Sequence, residues 1–109
     1  MPWFASDEQK GREAEALADV RGLSVDELAA DVLERVFGPA DDDLTTNMAF
    51  GLYKAARSVD LSDEDKPVFA EALQRLQNQG AIAIDGFRKS TGGAIFFILT
   101  RHGRELLAH

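Results

Sequence analysis

The stretch from Pro67 to Leu107 constrains this chain more than any other. Good helix formers run from Pro67 to about Gln79, with Val68, Phe69, Ala72, Leu73 and Leu76 at core-facing helical spacing. Gly80 supplies the left-handed stop that ends many helices. Ala81–Phe87 then reads as a strand with Ile82 and Ile84 on its buried face, and Ala94–Thr100 as a second strand, apolar from Ala94 to Leu99. The connection Arg88–Gly93 is basic at its start, and Gly92-Gly93 permit positive φ. Thr100 stands where it caps a short closing helix whose Leu106 and Leu107 return to the core. A hairpin this short is marginal alone. It must lie against helices, and the rest of the chain has to provide them.

Three further helices are predicted upstream. Asp7–Val20 is rich in Glu, Ala, Gln and Lys but has a thin apolar stripe of Ala14, Leu17, Ala18 and Val20, so a peripheral, mostly solvated helix is expected. Ser24-Val25-Asp26-Glu27 is a capping box, and Leu28, Ala29, Val32, Leu33, Val36 and Phe37 follow as a strong amphipathic face until Gly38-Pro39. The run Asp41-Asp42-Asp43 lacks the alternating oxygen ligands, central glycine and terminal Glu of a calcium loop. It reads as a solvated linker in which Asp43 caps a helix over Leu44–Ser58. The expected core face of that helix is Leu44, Met48, Leu52, Ala55, Ala56 and Val59, flanked by Phe50 and Tyr53, with Gly51 marking a close helix contact. Ser62 and Asp65 form a second capping signature. Pro67 then requires either a loose first turn or a helix that begins nearer Asp65.

Two spaced motifs carry a family resemblance. Leu73-Gln74-Arg75-Leu76-Gln77-Asn78-Gln79-Gly80-Ala81-Ile82 resembles the passage from recognition helix to wing in winged-helix regulators of the MarR and PadR type. Ile98-Leu99-Thr100-Arg101-His102-Gly103-Arg104-Glu105-Leu106-Leu107 is similar to their exit from the wing. With the preceding helices the resemblance covers roughly residues 24–108. It implies a mostly α fold with a small β-hairpin: a winged helix-turn-helix domain over residues 24–109, preceded by an N-terminal helical extension over residues 1–23. It further implies a dimer on operator DNA, with the helix before the wing in the major groove and the wing tip on phosphates or in the minor groove. The residues that would serve are Gln74, Arg75 and Asn78 on the helix, Arg88 and Lys89 at the tip, and Arg101 and Arg104 beyond it. A homodimer contact is expected through Trp3, Phe4 and Leu17, which bury too little within one small domain.

Charge opposes part of that expectation. Residues 1–66 hold 16 acidic and 7 basic side chains, whereas residues 67–109 hold 3 acidic and 5 basic ones. Phosphate neutralisation supplies most non-specific DNA affinity, so a DNA footprint has to lie in the last 43 residues. The end of a recognition helix that meets base edges is here Asp63-Glu64-Asp65. Two uses of the fold therefore stand: a DNA-binding transcriptional regulator, or an acidic module that binds protein and no DNA.

An enzyme is not expected. His102 and His109 are the only histidines, cysteine is absent, and no metalloprotease, P-loop or dinucleotide motif is present. No cofactor and no metal is implied, and His102 reads as a surface residue. Absence of cysteine agrees with a cytoplasmic location. No secretory leader and no apolar run of the ~20 residues that span a bilayer appears.

Overall fold

Local capping chemistry sets most of the element boundaries. In the computed structural model, residues 7–85 and 94–108 are described, side chains from residue 11 onward. Five α-helices and one two-stranded antiparallel hairpin make up these residues. The first helix, α1 (Asp7–Arg21), touches the body only through its last turns: Ala16 and Leu17 are partly buried and Val20 is buried, while Gly11–Glu15 is exposed. Ala14 and Ala18, expected on its packed stripe, are exposed as well. The next helix, α2 (Val25–Val32), starts at the capping box that its sequence dictates: the Glu27 N–H donates to Ser24 Oγ at 3.1 Å and the Ser24 N–H to Glu27 Oε1 at 3.0 Å.

The helix widens after Val32 into a π-helical turn over Leu33–Phe37, in which the Gly38 N–H bonds the Leu33 carbonyl at 2.8 Å. Residue spacing alone does not announce this turn. It buries Leu33, Val36 and Phe37 together, with neighbours from both the third helix and the last.

The third helix, α3 (Thr46–Arg57), corrects two expectations. Thr45, not Asp43, is its cap, accepting the Met48 N–H at 3.1 Å. Leu44 is extended instead of helical, because its N–H and carbonyl pair with Phe97 at 3.0 and 2.7 Å. The buried face is Ala49, Phe50 and Tyr53, and Met48, Leu52, Ala55 and Ala56 face outward. Aromatic area decides the rotation: Phe50 and Tyr53 close on Phe69 of the fourth helix, with ring centroids 5.2 and 5.9 Å apart. Burying two rings outweighs burying Met, Leu and two alanines. Gly51 is consequently not at a helix contact, and a Cβ there would meet nothing within 4 Å.

Ser58, in the left-handed region at φ 54°, ends α3. A 3-10 turn over Asp63–Asp65 precedes α4 (Lys66–Asn78), so Pro67 falls at the start of the regular helix, where its missing N–H costs least. Phe69, Ala72, Leu73 and Leu76 of α4 form the main core with Leu28, Ala29 and Val32 of α2. Val68, expected inside, is 45% exposed, in an open cleft that it shares with Val20, Leu23, Leu28 and Leu61. Gly80 takes φ 75° and ends the helix.

The hairpin strands, β1 (Ile82–Ile84) and β2 (Phe97–Leu99), are shorter than expected, though the Asp85 N–H to Phe96 carbonyl bond extends the ladder by one step. Leu44, Phe97 and Ile84 lie side by side across the sheet. Burial falls along that row from 5% at Leu44 to 46% at Ile84, because β1 is the outer strand and only its beginning is covered by α4. Ile84 is thus not on a buried face, and Ile95 is exposed too. The last helix, α5 (Arg101–Leu107), is capped by Thr100 and returns Leu107 to the core but leaves Leu106 in solvent. Arg88, Lys89, Phe87, Trp3 and Phe4 lie outside the described residues. Among those described, no helix is long and apolar enough to cross a membrane.

Candidate functional site

The outward side of α4 carries Ala70, Glu71, Gln74 and Asn78. Gln74 and Asn78, one turn apart, are brought together: the Gln74 amide donates to Asn78 Oδ1 at 2.9 Å. Arg75 is drawn away from them. Its Nη1 donates to Asp26 Oδ1 at 2.9 Å, which ties the guanidinium to the first turn of α2. Arg101 is 94% exposed on α5, with Glu105 Oε1 at 3.6 Å. Arg104 lines a cleft of about 350 Å³ against the Asp41–Asp43 loop and Leu99. The described candidates therefore do not form one basic surface.

The entry to α4 is acidic and already engaged. Asp65 takes a two-pronged contact from Arg21, Nε to Oδ1 at 3.1 Å and Nη2 to Oδ2 at 3.0 Å, and accepts the Ser62 N–H at 2.9 Å. The Arg21 hydrogen bonds hold the Asp65 carboxyl below its ordinary range against the opposing effect of burial, and the Ser62 N–H adds to them. Asp63 stands in solvent with Lys66 Nζ at 3.2 Å. Arg21, Arg35, Arg57, Lys66, Arg75 and Arg101 each have a carboxylate within 4 Å. Lys54 and Lys66 also lie over the Phe50 ring, 5.0 and 5.9 Å from its centroid.

One polar cluster escaped the reading of the sequence. Tyr53 Oη, on a fully buried residue, donates to Asp31 Oδ2 at 2.7 Å. Asp31 also meets Arg35 Nε at 2.6 Å and Arg57 Nε at 3.6 Å. Each helix contributes two members four residues apart, Asp31 with Arg35 and Tyr53 with Arg57, so the two pairs were visible singly. That they face each other depends on how α2 and α3 pack. Burial first, and the Asp31 bond second, push the Tyr53 phenol well up from its ordinary value. The cluster joins two helices, and its Arg57 also lines an open cleft of about 330 Å³ with Arg12, Glu13, Ala16 and Ser58.

Apolar side chains are exposed at several places among the described residues. One is the outward strip of α3, and another is Val68, in a small cleft with Leu23, Leu28 and Leu61. A third is a groove of about 440 Å³ between α2, α4 and α5, floored by Leu33 and Leu76 with Leu106 at its lip, whose rim carries Asp26, Glu34 and Gln79. His102 is exposed, 3.9 Å from Glu105. Among the described residues no three His, Asp or Glu side chains converge to hold a metal ion. Comparison of the chain with protein-family models, curated proteins and solved structures gives no match.

Proposed function

We propose that this chain is a non-enzymatic winged-helix-type module that works by binding protein. The observation that carries the reading is the pairing of its cations. Arg75 is spent on Asp26, Arg21 on Asp65 and Lys66 on Asp63, and the helix end that would meet base edges presents carboxylates. Among the described residues, a duplex approaching this side meets little uncompensated positive charge, and phosphate contacts dominate DNA affinity. Exposed apolar surface on α3 and in the α2–α4–α5 groove suits protein contact instead. Support for the winged-helix reading comes from the bridge between Leu44 and Phe97, which fastens the start of the α3–α4 helix pair to the hairpin.

DNA binding is the second reading. It is favoured by the polar outward pair Gln74 and Asn78, since amide side chains suit bidentate contact with adenine. Fluorescence anisotropy with mixed-sequence duplexes, at low and near-physiological salt, decides between the two. Protein docking expects no duplex binding at either salt. Non-specific binding in the range of about 10⁻⁴–10⁻⁶ M at physiological salt, falling steeply as salt rises, would overturn it.

A further inference from the structure

α3 turns to solvent a face that no contact among the described residues explains. Met48 and Leu52 are each 46% exposed, and Gly51, Ala55 and Ala56 lie exposed beside them. Positions 48, 51, 52, 55 and 56 follow the three- and four-residue spacing of one helical face. None is charged. On a chain of net charge −7, an uncharged strip is where two like-charged molecules can touch without opposing carboxylates. Gly51 adds a second observation. A glycine inside a helix weakens it, yet an added Cβ would meet nothing within 4 Å, so no contact within the molecule requires the small residue.

We propose that this face docks a second copy of the chain, the two α3 helices packing antiparallel about a twofold axis between Gly51 and Leu52. The order of side-chain sizes selects a copy over another partner. Across such an axis, residues equidistant from it face each other. Met48 then falls opposite the partner's Ala55, and Leu52 opposite the partner's Gly51. Each long side chain meets a small one, in both directions at once, which is the self-complementarity that an isologous interface needs. An unrelated partner would have to reproduce the large-small order, whereas a second copy has it by symmetry. Gly51 then acquires a role, because it lets the partner's Leu52 approach the backbone. This contact is distinct from the dimer expected through Trp3, Phe4 and Leu17, and Leu17 packs on its own core. One helix per subunit makes a small interface, so the dimer is weak.

Sedimentation equilibrium on the full chain, from about 10 μM to 1 mM, is suited to a weak association. A reversible monomer–dimer equilibrium is expected. Gly51→Glu has room in the monomer and exchanges glycine for a better helix former, so its circular dichroism and thermal midpoint are maintained or improved. It places like charges beside the axis, and dimerisation should weaken by about tenfold or more. The register is read separately, because the chain has no cysteine of its own. A mixture of Met48→Cys and Ala55→Cys chains should cross-link under mild oxidation as the heterodimer. Either variant alone leaves its two sulfurs seven residues apart along the pair, about 10 Å, beyond disulfide reach. A wild type that stays monomeric at the highest concentration overturns the proposal. So does undiminished dimerisation of a folded Gly51→Glu, or self-cross-linking as efficient as cross-linking of the mixture. Duplex binding does not bear on these outcomes, so this inference and the protein-docking reading fail separately.

Discussion

Replacing Gly103 by Ala sets two physical effects against each other at a site where the geometry determines the sign. Gly103 sits in the first turn of α5, so helix propensity alone predicts that Ala stabilises, by about 1 kcal/mol. Packing predicts the reverse. A Cβ at 103 would press into the carbonyl oxygen of Ala81 and stand 3.0 Å from that carbonyl's carbon and 2.7 Å from Leu99 Cδ1. Ala81 is fully buried at the entry to β1, and its carbonyl is backbone, unable to swing aside as a side chain would. Relief requires the first turn of α5 to lift. That turn is held by the Thr100 N–H on the Ala81 carbonyl at 3.0 Å and by the Thr100 hydroxyl on the same oxygen at 2.9 Å. Thr100 Oγ1 also accepts the Gly103 N–H at 2.9 Å. Overpacking costs about 1–3 kcal/mol, and stretching two of these bonds costs about 2 kcal/mol more. After the propensity gain, a net loss of about 2–4 kcal/mol is expected. For a domain of this size, that lowers the thermal midpoint by roughly 8–17 °C. Urea unfolding followed by circular dichroism measures it directly. Gly51→Ala is the control: the same change in a helix interior with open space above it should raise stability by about 0.5–1 kcal/mol. If Gly103→Ala proves as stable as the wild type, or more so, the close approach of α5 to β1 is wrong.

Two further expectations follow from the polar contacts. Tyr53→Phe should cost about 1 kcal/mol, because it removes the hydroxyl donor to Asp31 inside the α2–α3 contact. The folded phenol has a raised pKa, so its contribution is complete below the unfolded value near ~10 and drains away as pH rises past it. The alkaline fall in urea midpoint should therefore be shallower in the variant. Asp65→Asn keeps an oxygen that can accept the Ser62 N–H but loses the charged two-pronged contact, so it should lower stability modestly at neutral pH and speed amide exchange in α1 by freeing Arg21. The folded Asp65 pKa is lowered, so its contribution is full above the unfolded value near ~3.9 and is lost as pH falls through the lower folded one. Asp65→Asn should accordingly flatten the acid limb of the stability profile.

Where a boundary is set by hydrogen bonds a few residues apart, the sequence by itself determined most of it, the start of α3 at Thr45 excepted. Ser24 with Glu27, Thr100 with Gly103, and Gly80 at positive φ are local devices, and each ends or begins an element where the residues placed it. The packed stripes of α2 and, apart from Val68, α4 were legible for a similar reason. Each has one apolar face, so periodicity leaves a single orientation. α3 has two. Met48, Leu52, Ala55 and Ala56 occupy one side, and Ala49, Phe50 and Tyr53 the other, and only the presence of Phe69 across the core shows which side wins. Leu44 likewise satisfied a helical pattern until Phe97, 53 residues later, claimed its backbone for the sheet. The candidate site followed the same division. Gln74 and Asn78 face outward as their spacing on α4 requires, whereas the direction of Arg75 was fixed by Asp26 on another helix. An ion pair across 49 residues depends on how two helices pack, and periodicity within either helix carries no record of it.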